Sequence, residues 1–224
     1  MKKIAIIVVL AFCFLSLNAQ CPYYYWYNNE KICVERYNKM RYILVDEEED
    51  TFIVKEKLEK LGYMVSDFKK TIPFDIYPYQ QEPIEEKYWT MIESNNVEDS
   101  AILNIDEISY EAFSFLSFSH FIVGLSHRFT VSVHTLSDTI TLDSMARAYR
   151  VVILGNSKTW PHLFRLSCSK ASAGNSMEMA NLFYESGFFQ YSEPDLMFDI
   201  KTLSANEEYF SNQWNLKNME CNKW

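Results

Sequence analysis

The stretch Arg128-Phe-Thr-Val-Ser-Val-His134 alternates strictly, with Phe129, Val131 and Val133 on one side and Thr130, Ser132 and His134 on the other. A period of two predicts a strand buried on one face. The period then changes. Leu142, Met145, Ala146 and Tyr149 stand at i, i+3, i+4 and i+7, the spacing of a buried helical stripe, with Thr141 expected as its N-cap. Val151 to Leu154 reads as a short apolar strand closed by the turn pair Gly155-Asn156. Leu163 to Ser169 alternates again, Phe164, Leu166 and Cys168 inward against Arg165, Ser167 and Ser169 outward. A second helix is expected from Asn175, with Glu178 placed to reach back in a capping box. Met179, Leu182 and Phe183 form its buried stripe, and Gly187 is its left-handed stop. Phe188 to Ser192 is the last predicted strand, ended by Pro194. Strand, helix, strand, strand, helix, strand over 128–197 is the order of the split βαβ, ferredoxin-like fold, in the α+β class.

Upstream, the chain opens with Lys2 and Lys3, an apolar run from Ile4 to Leu17, and a small residue at Ala19. That is the pattern of a secretory signal peptide over 1–19, and the run is short for a membrane span. Cleavage there predicts an exported protein, periplasmic or extracellular, with no transmembrane segment in the mature chain. Lipidation at Cys21 is disfavoured because Gln20 is a poor residue before a lipidated cysteine. Loss of Lys2 and Lys3 takes the formal charge from −9 to −11. An acidic chain without a basic run is a poor match for nucleic acid, whose phosphates call for clustered Lys and Arg. Scarce glycine and many aromatic residues favour packed structure over disorder.

Residues 20–124 read as an α+β region that opens with a hairpin. Tyr23–Tyr27 and Glu30–Val34 flank Asn28-Asn29, a tight-turn pair. Cys21 and Cys33 flank this hairpin and are the candidate disulfide, while Cys168 falls on the inward side of a strand as a buried thiol. No cysteine or histidine pair has ligand spacing, so neither a metal nor another cofactor is expected. Arg41–Val45 reads as a strand and the acids Asp46–Asp50 as the lead-in to a helix over Thr51–Leu61, stopped at Gly62. Ile53, Val54, Leu58 and Leu61 are its apolar residues. Pro73, Pro78 and Pro83 mark irregular chain over Ile72–Ile84. Lys87–Glu93 reads as a strand, Asp106–Leu116 as a short helix and Phe118–Val123 as a strand. Arg41–Val123 can thus be read as a second, degraded unit of the same type.

The segment FRLSCSKASAGNSMEMANLFYESGFFQYSEPDLM (Phe164–Met197) resembles the end of the N-terminal prodomain of bacterial secreted subtilisin-like serine proteases. YFSNQWNLKN (Tyr209–Asn218) resembles the first residues of the protease domain that follows such a prodomain, and YYYWYNNEKICVERYNKMRYILV resembles its opening more loosely. Asn215 stands where that family commonly has glycine. The resemblance implies a ferredoxin-like unit over 125–203 and a tail, 204–224, like the start of a protease domain. It also implies a partner, a subtilisin-like serine protease. The sheet face with Thr130, Ser132, Arg165, Ser167, Gln190 and Ser192 would pack on paired protease helices. Glu193 and Asp195 would meet unpaired N–H groups at those helix ends. The tail from Tyr191 to Leu203, with Pro194, Leu196 and Met197, would then lie in the cleft by strand addition.

Catalysis is not expected. Gly174-Asn-Ser176-Met mimics the family's nucleophile turn, but a serine nucleophile needs a histidine base oriented by a carboxylate. No Asp precedes Ser-Gly or Thr-Gly, and no His precedes Gly. His120, His127, His134 and His162 read as ordinary surface or edge histidines. The expected function is a secreted, non-catalytic module that binds a protease as folding assistant or inhibitor. Two alternatives stay open: a truncated remnant of a protease precursor, and an extracellular binding or adhesion module without a protease partner.

Overall fold

Asn28 and Asn29 have φ of 51° and 63°, both left-handed. A two-residue hairpin turn of the type that matches strand twist needs both, and asparagine tolerates the region better than most residues. The turn joins β1 (Tyr23–Tyr27) to β2 (Glu30–Asp46), paired from Tyr27↔Glu30 to Tyr23↔Val34. Cys21 and Cys33 are disulfide-bonded, with Cα atoms 5.7 Å apart. The computed structural model describes residues 21–46, 48–71, 76–78, 87–94, 102–117 and 121–198. The leader over 1–19, the tail over 204–224, Pro73, Pro83, His120 and Cys221 lie outside them.

Past the hairpin, β2 becomes the spine of a wide sheet. It pairs with β6 (Lys87–Glu93) on one side and β7 (Ile108–Leu116) on the other. Tyr42 and Leu44 point to one face and Ile43 and Val45 to the other, each pair in its own core cluster. α1 (Thr51–Lys60) covers the second face. Asp50 caps it by accepting from the Phe52 N–H at 2.9 Å. Only Val54 and Leu58 of its apolar residues are buried; Ile53 and Leu61 are exposed, so the stripe is narrower than the spacing suggested. Gly62 ends the turn at φ 91°. The short strands β3 (Met64–Val65) and β4 (Lys69–Lys70) both pair with β6.

The helix expected over Asp106–Leu116 is instead β7. Ile108, Tyr110, Ala112 and Ser114 alternate at period two and are buried, and Tyr and Phe suit a pleated surface. With that helix gone, α1 is the only α-helix among the described residues before 118. Among the described residues of Arg41–Val123, the strand–helix–strand–strand–helix–strand order of the expected second unit is not seen.

β8 (Ile122–Val133) carries the chain into the second half of the sheet and runs straight through position 125. It is followed by α2 (Thr139–Tyr149), β9 (Val152–Ser157), β10 (Leu163–Ser167), α3 (Ser176–Glu185) and β11 (Phe189–Phe198). The pairings are β11 with β8, β8 with β10 and β10 with β9, all antiparallel, and β5 (Ile76–Pro78) adds to β9. The architecture is therefore mixed α and β, with a mostly antiparallel open sheet and three α-helices among the described residues. No helix among those residues is long and apolar enough to cross a membrane.

Several boundaries differ from the sequence reading. The cap of α2 lies upstream of Thr141: Asp138 accepts from the Thr135 N–H at 2.8 Å across a short 3-10 turn. β9 continues through Gly155-Asn156, because a register shift in β10 between Arg165 and Leu166 absorbs the irregularity. β11 continues through Pro194. Among the described residues β11 pairs only with β8, so a residue without an N–H is tolerated at this edge. The cap of α3 matches its sequence pattern. Asn175 Oδ1 accepts from the N–H groups of Met177 and Glu178 at 3.0 Å, and Glu178 Oε2 accepts from the Asn175 N–H at 2.9 Å. Gly174 makes room for that carboxylate, since a Cβ there would stand 2.6 Å from Glu178 Oε2. Gly187, at φ 72°, closes the helix.

One core spans both halves. Tyr42, Leu44 and Tyr110 from the first half share it with Phe129, Val131, Leu166, Phe183 and Phe189 from the second. Phe183 is fully buried, edge-on to Phe129 at 5.4 Å and stacked on Phe189 at 5.5 Å. Phe183→Ala is expected to cost about 3–5 kcal/mol through the cavity it leaves. Asn175→Ala is expected to cost about 1 kcal/mol through the lost cap. Urea denaturation followed by circular dichroism measures both, and an Asn175→Ala loss as large as that of Phe183→Ala would contradict this ranking.

Candidate functional site

Two places in the second half gather polar side chains: the sheet face away from α2 and α3, and a buried seam where β8 meets the first half. Cross-strand partners share a face, so the ladders sort the residues. Phe164↔Val131 and Leu166↔Phe129 lie on the helix-covered side, and Arg165↔Thr130 and Ser167↔Arg128 on the other.

β11 adds Tyr191↔Ser132 and Glu193↔Thr130 to the polar side. Its ladder slips between Phe189 and Tyr191, leaving Gln190 as the extra residue of a bulge. That slip reverses the alternation expected for Ser192. Ser192 pairs with Val131 on the apolar side and is 1% exposed. Pro194 follows it there, opposite Phe129, while Leu196 and Met197 pack against the core. Glu193 to Met197 are thus a paired strand rather than an extended tail.

Of the expected docking residues, Gln190 is exposed, Thr130, Arg165 and Glu193 are half-buried, and Ser132 and Ser167 are buried. Thr130 Oγ1 donates to the Glu193 carbonyl at 3.3 Å, and Ser132 Oγ donates to Gln190 Oε1 at 3.3 Å. Burial raises the carboxyl pKa of Glu193 above its ordinary value. The face is a row of polar groups braced by their own hydrogen bonds, narrower than the sequence suggested.

The seam was not visible in the sequence. Pro194 pairs with Phe129 and Leu196 with Leu125, so Ser126, His127 and Arg128 together stand opposite Asp195 alone. In this widened stretch Ser126 Oγ donates to Asp195 Oδ2 at 3.1 Å and accepts from the Arg128 N–H at 3.0 Å. The Ser126 carbonyl accepts from Tyr110 Oη at 3.3 Å and from Ser176 Oγ at 2.5 Å. His127 is 2% exposed, its Nδ1 is 3.1 Å from Tyr42 Oη, and its ring stacks on Tyr42. Burial, then the nearby charges of Arg128 and Lys87, hold its pKa well below the ordinary value. His127 is therefore no surface histidine, whereas His134 and His162 are exposed.

Ser176, in the sequence mimic of a nucleophile turn, is fully buried and commits its hydroxyl proton to a backbone carbonyl. Burial pushes the free thiol of Cys168 up to about 12, so it stays protonated at neutral pH. Among the described residues, no three His, Cys, Asp or Glu side chains gather as a metal set. No protein-family model and no curated protein sequence matches this chain.

The buried neutral histidine fixes the sign of one pH effect. Below its ordinary value of 6.5 the unfolded chain takes up a proton that folded His127 refuses. Stability should therefore fall as pH drops below that value, by at most about 1.4 kcal/mol per pH unit for one proton. Glu193, with its raised carboxyl pKa, acts in the opposite sense at lower pH. Denaturant midpoints between about pH 5.5 and 7 should decline toward acid in the native chain and flatten in His127→Gln. Equal slopes in the two proteins would remove His127 as the cause.

Proposed function

We propose that this chain is an exported, non-catalytic binding protein of the subtilisin-prodomain type, whose second half is a ferredoxin-like unit that docks a subtilisin-like serine protease. The observation that carries the reading is the strand order β11-β8-β10-β9, with α2 between β8 and β9 and α3 between β10 and β11. That order and connectivity agree with a βαββαβ unit, which the sequence of 128–197 also resembles. Helix-side burial leaves the opposite face for a partner. The committed hydroxyl of Ser176 favours a non-catalytic role.

The register of β11 reshapes the docking proposal. The residues offered to protease helices are Thr130, Arg165, Gln190 and Glu193, joined by Tyr191 on the same face. Ser192 and Pro194 support the strand from the core side, and Asp195 anchors the seam. Strand addition into the cleft is assigned to residues after Phe198, because Glu193 to Met197 already pair with β8. The role is that of folding assistant or inhibitor, and the partner is a protease exported by the same cell.

Titration of the mature protein into such a protease, followed by peptide hydrolysis, tests this. Slow, saturable inhibition is expected. Gln190→Arg, on an exposed bulge, should weaken it at least about tenfold, or about 1.4 kcal/mol, without changing the circular dichroism spectrum. Truncation after Phe198 should abolish cleft blockade while leaving β11 intact. Absence of inhibition by the full mature protein would sink the protease reading and favour a binding module with another partner.

A further inference from the structure

A cleft of about 420 Å³ lies between the tip of the N-terminal hairpin, the end of α3 and the first half of β11. Its volume is in the range of small-molecule sites. Aromatic rings wall it: Trp26 and Tyr27 from β1, Tyr184 from α3 and Tyr191 from β11. Between them stand the amides of Asn28, Asn29 and Gln190 and the carboxylate of Glu193. No Lys or Arg is among the described residues that line it.

Much of this wall is fixed by the fold. Trp26 stacks on Tyr184 with ring centroids 4.8 Å apart. Tyr184 Oη donates to Asn29 Oδ1 at 3.0 Å, which orients that amide and leaves Nδ2 as a donor. Gln190 Oε1 accepts from Ser132 Oγ at 3.3 Å, which leaves Nε2 in the same way. Tyr27, at the hairpin tip, is 57% exposed.

Glu193 is the unusual member. It is half-buried, and burial raises its carboxyl pKa. Only its backbone carbonyl is hydrogen-bonded; among the described residues the carboxylate has no hydrogen bond or ion pair. Its oxygens are nevertheless open to solvent rather than sealed in the core. A carboxylate moved partly out of water is normally compensated by a partner, and here the compensation is left to whatever occupies the cleft.

The groups present match a sugar. A carboxylate accepts from neighbouring hydroxyls in charge-assisted hydrogen bonds. A side-chain amide donates and accepts at once, as vicinal hydroxyls do. The C–H face of a pyranose ring suits the negative face of an aromatic ring. A quaternary ammonium ion would use the rings and the carboxylate but leave the amides idle. An acidic sugar would meet Glu193 with like charge and find no cation lining the cleft.

We propose that this cleft binds a neutral oligosaccharide, one pyranose ring against Tyr27 and its hydroxyls held by Glu193, Asn29 and Gln190. Gln190, Tyr191 and Glu193 also belong to the row offered to a protease, so a glycan and a protease would compete for them. The glycan site does not rest on the protease reading, and its test needs this protein alone.

Cellotetraose, maltotetraose and mannotetraose are the probes, with trigalacturonate and choline as their acidic and cationic counterparts. Calorimetry and the nitrogen-15 shift of the Trp26 indole follow binding to the mature protein. Saturable binding of at least one neutral probe is expected, with a Trp26 shift that neither counterpart reproduces. Glu193→Gln keeps the shape of the side chain and removes its charge, and should weaken that binding about tenfold. Tyr27→Ala should weaken it as well, with the circular dichroism spectrum unchanged in both variants. No saturable response to any neutral probe, an equal response to choline or trigalacturonate, or unaltered affinity in Glu193→Gln would overturn the proposal.

Discussion

The structure turns on the widened stretch of the β8–β11 ladder, where Ser126, His127 and Arg128 face Asp195 alone. A bulge of this kind leaves backbone groups without ladder partners, and buried polar groups must be paired elsewhere. Here the pairing is supplied by six groups. Asp195 of β11 and the Arg128 N–H take the Ser126 hydroxyl, Tyr110 of β7 and Ser176 of α3 take the Ser126 carbonyl, and Tyr42 of β2 takes the His127 ring. The His127 carbonyl accepts from the Cys168 N–H just past β10 at 2.8 Å. One irregularity thus joins the two halves of the sheet to the helix layer.

That joint explains why the halves behave as one body of packing. Among the described residues β7 and β8 share only the pairs Phe115↔Val123 and Leu116↔Ile122, too little ladder to hold two sheets in register. The seam and the shared apolar core do the rest. The hairpin adds a second clamp. Trp26 stacks on Tyr184 at 4.8 Å, Tyr184 Oη donates to Asn29 Oδ1 at 3.0 Å, and Tyr24 and Trp26 both donate to Glu185. Aromatic rings with polar tips are suited to this work, because they bury area and still satisfy a hydrogen bond. The aromatic richness of the N-terminal stretch thus covers α3, and the same contacts shape the cleft beside it.

The two faces of the second half consequently have different chemistry. The helix side is apolar and enclosed. The opposite side is a hydrogen-bonded row with a protruding bulge at Gln190. That row presents fixed groups, since Thr130 and Ser132 are already held by β11. Fixed polar groups cost less to order on association than mobile ones.

What the sequence determined by itself was local. The Asn28-Asn29 turn, the capping box of Asn175 and Glu178, the stop at Gly187 and the alternation of Arg128–His134 and Leu163–Ser169 are set by backbone preference and period, which neighbours in the chain fix. Ile108–Leu116, expected as part of a short helix, carried the same period-two signal in Ile108, Tyr110 and Ala112, and the structure makes it a strand. Three outcomes were decided only by tertiary structure. Ser192 faces the core because a single bulged residue shifts every side chain after it to the other face. Glu193 to Met197 form a strand because β8 offers an unpaired edge that no local pattern announces. His127 is buried because residues 42, 87 and 110, distant in sequence, close around it. Burial and charge at a site are sums over such neighbours, and no window of sequence contains them.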